Sequence, residues 1–251
     1  VIDQLDFGGD EDSALEWVKK NRDRIKPQRP GDKLSLQYIN DTLRQAGKLE
    51  GIDMHHLNMR VGAYELYVHN RGLIDPLDFG EDEDLAFAWV KENHDSIKPR
   101  KPGDKLSLGY VACALEEAGK LDGIDAQKLR RRTSAYELYQ RNKELVDELD
   151  FNGDEAEAME WMKKNRGQIK SQRQGDKLSL AYISTVLNEA GKLDGIDHKR
   201  IKMRTGAYDL YLHNKEVIDP LEFEGDEDKA LEWMKENRGV IQPKKPGEKL
   251  S

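Results

Sequence analysis

Asp150-Phe151-Asn152-Gly153-Asp154 sets oxygen-bearing side chains at alternate positions, the spacing with which a calcium loop begins. Asp6, Asp10 and Asp12 form a similar group near the start of the chain. An EF-hand loop then needs glycine at its sixth position and a bidentate glutamate at its twelfth. Counted from Asp150, those places hold Glu155 and Trp161, so the stretch is not an EF-hand. Acids just ahead of a helix also accept from its free N–H groups and suit the positive end of its dipole. That capping role is the expectation for Asp154, with a looser calcium site as the alternative.

The segment that follows offers a different chemistry. Trp17-Val-Lys-Lys-Asn-Arg-Asp-Arg-Ile25 is a tryptophan, a basic stretch and a distal aliphatic residue, and Trp161–Ile169 repeats the shape. Basic amphipathic helices with such anchors are what calmodulin-like or centrin-like calcium sensors grip. Candidate partner-binding residues are therefore Trp17, Trp89, Trp161 and Trp233, with Lys163, Lys164, Arg166 and Ile169. The competing assignment puts each tryptophan in the core of its own domain and leaves the cations as a solvated helix end.

A third chemistry is nucleic-acid binding. Tyr182–Gly191 followed by Lys199-Arg200-Ile201-Lys202-Met203-Arg204 has the flavour of a helix-turn-helix, and Arg130-Arg131-Arg132 supplies a second basic run. The corresponding His56-Leu57-Asn58-Met59-Arg60 is hardly basic, and the connector exceeds the usual three or four residues. The net charge is −8, with no whole-chain basic field. Nucleic acid stands as the runner-up partner.

Catalysis finds less support. His55, His56, His69, His94, His198 and His213 share no common set of positions in the pattern described next. A repeated catalytic or zinc site would repeat its ligands, and no nucleophile–base pair recurs either. The reading is a non-enzyme with no cofactor and no metal.

The elements that position these residues come from a repeat. Gly31, Gly103, Gly175 and Gly247 stand 72 residues apart, as do Trp17, Trp89, Trp161 and Trp233. A fixed period without insertions marks a tandem array. The copies run 1–73, 74–145 and 146–217, with a partial fourth at 218–251 that holds only a first helix or completes the preceding copy. Pro30–Leu36 reads PGDKLSL, and this phrase recurs at Pro102 and, as QGDKLSL, at Gln174. It begins again at Pro246 and stops at Ser251, so the chain is expected to be part of a longer array.

Each copy reads as three helices. In the third copy the first covers Ala156–Ile169, the second Ser179–Ala190 and the third roughly His198–Val217. Leu180, Ile183, Leu187 and Ala190 follow helical spacing, as do Met159, Met162 and Ile169. The third helix is given an apolar stripe of Ile201, Tyr208, Tyr211 and Leu212, with Leu210 on its flank. Asp154, Ser179 and Asp197 are the expected N-caps, and Gly191 the C-terminal glycine. Pro27, Pro99 and Pro243 are expected to stop the first helix, and PGDKLSL to turn the chain between first and second.

Between copies, Leu5/Phe7, Leu77/Phe79, Leu149/Phe151 and Leu221/Phe223 recur, so the linker is expected to be packed rather than free. Asn21, Arg60 and Asn70 keep their identity from copy to copy and suggest inter-helix hydrogen bonds or a contact surface.

The fold class is thus all-α: tandem repeats of three helices in a stacked array or helical solenoid. The expected role is structural, a scaffold that spaces or repeatedly displays a protein-binding surface beside its neighbouring repeats. Charged residues are 36% of the chain, but the apolar 37% is periodic, which excludes disorder. Cys113 is the only cysteine, so no internal disulfide forms, which leans towards a reducing, intracellular setting. No apolar run reaches membrane-spanning length, so no membrane partner is expected.

Overall fold

The computed structural model describes residues 2, 4–25, 34–171, 178–237 and 239–243. These are all-helical, with no strand among them. The chain divides into two compact units, Val1–Ser134 and Ala135–Ser251.

The first unit carries α1 (Glu11–Asn21), α2 (Leu36–Gln45), α3 (Met54–His69), the short α4 (Arg71–Ile74), α5 (Glu83–Asn93), α6 (Leu108–Glu117) and the start of α7 (Ala126–Arg141). The second carries the end of α7, the short α8 (Lys143–Val146), α9 (Glu155–Asn165), α10 (Leu180–Glu189), α11 (His198–His213), the short α12 (Lys215–Ile218) and α13 (Glu227–Glu236).

Local chemistry accounts for most helix ends. Asp10 accepts from the N–H groups of Asp12 and Ser13, and Asp154 from those of Ala156 and Glu157. Ser35, Ser107 and Ser179 each accept from the N–H three residues on, at 3.1 Å in every case. Asp53 and Asp197 cap α3 and α11 in the same way. Each such cap contributes on the order of 1 kcal/mol. Gly47, Gly119 and Gly191 close α2, α6 and α10 at φ of 68°, 67° and 69°, where a side chain would be strained. The next N–H then reaches the carbonyl of Leu43, Leu115 or Leu187 at 2.9 Å, satisfying a free carbonyl of the last turn.

Two expected boundaries move. The first helix stops at Asn21, Asn93 or Asn165, short of Ile169 and ahead of the prolines. The asparagine amide turns back onto the tryptophan carbonyl four residues earlier, at 2.9–3.0 Å. The third helix does not reach Val217. It breaks at Asn214, whose φ of −114° and ψ of 24° leave the helical region, and α12 starts anew. Its buried stripe is Ile201, Thr205 and Asp209, and Leu212 is exposed. Thr205 is accommodated by bonding its hydroxyl to the Ile201 carbonyl at 2.9 Å. Pro27 and the opening phrase at 30–33, 174–177 and 246–251 lie outside the described residues. In the second copy the phrase is a turn at Pro102-Gly103, and Ser107 caps α6.

In the first unit Ala14, Leu15 and Val18 of α1 join Leu36, Ile39 and Leu43 of α2 and Leu57 and Val61 of α3 in one core. Helix α3 packs on α6 as well as on α2, and α5 packs on α6. In the second unit Met159 and Met162 of α9 share a core with Leu180, Ile183 and Leu187 of α10 and Ile201 of α11. Leu138, Val146 and Phe151, from the stretch before α9, belong to the same core. Burying each such side chain contributes about 1.5–3 kcal/mol. The linker is packed: Phe79 and Phe151 are buried, and Leu149 packs against the core.

Candidate functional site

The helix that carries each tryptophan begins at a capped acidic turn, and its axis sets the tryptophan beside the linker. Phe7, Phe79, Phe151 and Phe223 meet Trp17, Trp89, Trp161 and Trp233 edge to face, with centroids 6.3, 6.3, 6.2 and 6.3 Å apart. All four tryptophans are half-buried. They are neither core residues nor free anchors.

The other expected contact residues divide. Ile169 is buried in the core of the second unit. The Arg166 Nε donates to the Leu178 carbonyl at 2.6 Å, and its Nη1 lies 3.1 Å from the Asp209 carboxylate. Lys163 pairs with Glu160 at 2.6 Å and sits 4.8 Å over the Tyr208 ring. Lys164 is exposed. Of the expected contact residues, those on α9 that remain open are Lys164 and part of Trp161.

Two structural centres carry most of the polar chemistry. The first is the break after the third helix. The Asn70 amide donates to the Lys98 carbonyl at 3.0 Å and accepts from the Lys98 N–H at 2.8 Å. Asn142 does the same to Lys170, at 3.1 and 2.7 Å, and Asn214 to Gln242, at 3.0 and 2.8 Å. Each amide also donates to the carbonyl four residues earlier, which holds it in place. A side chain thus satisfies both backbone groups of a residue 28 positions on. Tyr67, Tyr139 and Tyr211 hydrogen-bond Asp75, Asp147 and Asp219 beside it. Burial, and then the bond to Asp147, push the Tyr139 hydroxyl up to about 12.

The second centre is a buried carboxylate. The Asp209 Oδ2 accepts from the Leu180 N–H at 2.8 Å, at the start of α10, and Arg166 balances its charge. In the first unit Glu65 accepts from the Leu36 N–H and pairs with Arg100. A carboxylate at a helix N-terminus meets both free donors and the favourable end of the dipole.

Arginines of the third helices pair with acids of the fold. Arg60 spans from Glu117 at 2.7 Å to Glu11 at 3.0 Å and Asp12 at 2.6 Å. Burial opposes its charge, but these bonds hold the guanidinium above its ordinary range. Arg132 takes Glu83 and Asp84, both at 2.8 Å, and Arg204 pairs with Glu155. The oxygens of the would-be calcium stretch are also engaged: Asp150 accepts from the Asn152 N–H, and Asp154 caps α9. Among the described residues no three His, Cys, Asp or Glu side chains converge as a metal site requires. Cys113 is buried, and burial pushes its thiol up.

Sequence reasoning named the Asn70 and Arg60 positions but missed two others. The first is the buried carboxylate, whose signal is Glu65, Glu137 or Asp209 standing between tyrosines and leucines in every copy. The second is Lys120 and Lys192, each following a helix-closing glycine. The Lys120 Nζ reaches the carbonyls of Asp75 and Leu77 at 2.7 and 3.1 Å, and Lys192 those of Asp147 and Leu149 at 2.7 and 3.1 Å. A cation thus closes the ends of α4 and α8.

Comparison with known protein families, curated proteins and solved structures returns no match. Among the described residues no helix is long and apolar enough to cross a membrane.

Proposed function

We propose that this chain is a non-catalytic scaffold, an array of 72-residue helical repeats that spaces or repeatedly presents a protein-binding surface. The observation that carries the reading is the asparagine joint. It forms at the same interval at Asn70, Asn142 and Asn214, and each time it ties the end of one copy to the segment just after the first helix of the next. The buried Phe79 and Phe151 support it, because a linker that is packed passes orientation from copy to copy. Repeating a modest site raises avidity without any new contact, which is a physical reason for an array.

A calcium sensor remains the most concrete partner, with limits that the packing sets. Such a sensor would engage Lys164 and the open edge of Trp161, because Ile169 and Arg166 are held inside the fold. The nucleic-acid reading loses Arg132 and Arg204 of the third helices, which are held by Glu83 and Glu155, and keeps the exposed Arg131, Lys199 and Lys202.

The test is capture on the immobilised chain from lysate of its source cells, with calcium, with chelator and after nuclease. The expected result is one retained protein in a near-integral ratio to the number of copies. Retention lost only after nuclease would replace the reading with nucleic-acid binding. Nothing retained in any condition would reduce it to a passive spacer.

A further inference from the structure

A cavity of about 320 Å³ in the first unit lies where α1 ends, α2 begins and α3 ends. Leu34 and Val68 form its apolar wall, and Arg22, Ser35, Glu65, His69 and Arg100 supply its polar groups. Arg22 corresponds to His94 and Arg166 in the 72-residue period. Both counterparts are engaged. The His94 Nε2 donates to the Leu106 carbonyl at 2.7 Å, and the Arg166 Nε to the Leu178 carbonyl at 2.6 Å, with the Asp209 carboxylate 3.1 Å from its Nη1. Arg22 makes no hydrogen bond or ion pair among the described residues. The carboxylate that matches Asp209 is Glu65, and here Arg100 holds it.

Both Glu65 oxygens are thereby engaged, one with the Leu36 N–H and one with Arg100. Two guanidiniums share one carboxylate, which leaves the cavity with an excess of positive charge. The other polar side chains offer donors. The Ser35 oxygen accepts from the Tyr38 N–H at 3.1 Å, which leaves its own proton to give. The exposed His69 ring has no partner among the described residues. A planar guanidinium holds two oxygens of an oxyanion at once, and a phosphate group has further oxygens for donors on other sides. The geometry points to a binding site for a phosphate group, free or as a phosphomonoester, with Arg22 as its main cation and Ser35, His69 and Arg100 around it. Such a site stands apart from the scaffold reading, and its failure would leave that reading untouched.

The whole 251-residue chain, labelled with nitrogen-15, is titrated at low salt with inorganic phosphate and, separately, with O-phosphoserine. The expected result is saturable movement of the Ser35 and His69 amide signals in at least one arm. Movement with inorganic phosphate alone makes the ligand the free ion, and tighter binding of phosphoserine makes it a phosphomonoester. Arg22→Gln should weaken binding by about tenfold or more, because it removes charge-assisted donors. His69→Gln should weaken it by about threefold. Neither residue has a partner to lose, so the melting temperature without phosphate should hold in both variants. Arg131→Gln, at an exposed arginine far along the chain, should change nothing. No saturable movement in either arm overturns the site. So does equal weakening by Arg22→Gln and Arg131→Gln, which is the mark of diffuse surface charge. Movement centred on the Ser107 or Ser179 amide in place of Ser35 overturns it as well, since those caps lie beside engaged counterparts.

Discussion

Helix α9 and helix α13 are nearly the same sequence in two surroundings. Met159 and Met162 lie in the core of the second unit, and Leu231 and Met234 at the same places are exposed. Both begin at an aspartate cap, and both set a tryptophan against a linker phenylalanine. What differs is the presence of a second and third helix over the apolar face. The first helix therefore does not bury itself. Its amphipathic stripe is an order for two more helices, and the energy of the unit is gained when they arrive.

The largest test of this comparison is truncation at matched positions. Met162→Ala should cost about 2–5 kcal/mol in urea unfolding, because the site is closed on all sides. Met234→Ala should change stability by no more than about 0.5 kcal/mol, because that side chain is already in water. Equal costs at the two positions would mean that Met234 is covered in solution and the comparison is wrong. Next in size is the joint. Asn142→Ala leaves the Lys170 N–H and carbonyl without their partner and should cost about 1–3 kcal/mol. Hydrogen exchange at the Lys170 amide should rise with it. Asn214→Ala should cost less, since the Gln242 it holds is exposed.

The legible and illegible parts of the fold divide by range. Asp154, Ser179 and Gly191 act within four residues of themselves, and the sequence alone places each correctly. The packed linker was legible because Leu149 and Phe151 recur at fixed places, which a free chain has no reason to maintain. The break at Asn214 was not, because apolar spacing runs on through Val217 while the hydrogen bonds that stop the helix reach 28 residues ahead. Asp209 was hidden for the same reason: its partner, the Leu180 N–H, lies 29 positions away, and a carboxylate in a tyrosine-rich helix reads as a surface charge. The tryptophans were offered either as core residues or as partner anchors, and in the fold they are half-buried, because the linker phenylalanine covers one face only. Of the expected contact residues, Ile169 misled most. It continues the apolar spacing of α9 but lies beyond Asn165, in a turn that folds it inward.

The smallest expected effect lies at the rim of the joint, and it has a sign. Tyr139 donates to Asp147 at 2.8 Å, and its hydroxyl is pushed from 10.0 to about 12 in the folded chain. A folded value above the unfolded one means that the neutral phenol is favoured by folding. Its contribution is therefore complete below pH 10.0 and is lost as pH rises through about 12. The site is mostly solvated, so the effect is modest, and alkaline titration of the melting temperature reads it. In Tyr139→Phe the melting temperature should start slightly lower at neutral pH and fall less steeply between pH 10.0 and about 12. The Asp10 and Asp53 caps give the opposite window. Hydrogen bonds from Ser13 and from His56 hold their carboxyls below 3.8, so their stabilisation is present above that value and lost as pH falls through the lowered one. A chain whose alkaline loss is unchanged by Tyr139→Phe would show that the joint is held by Asn142 alone, with the tyrosine–aspartate pair as a surface bond of no consequence to it.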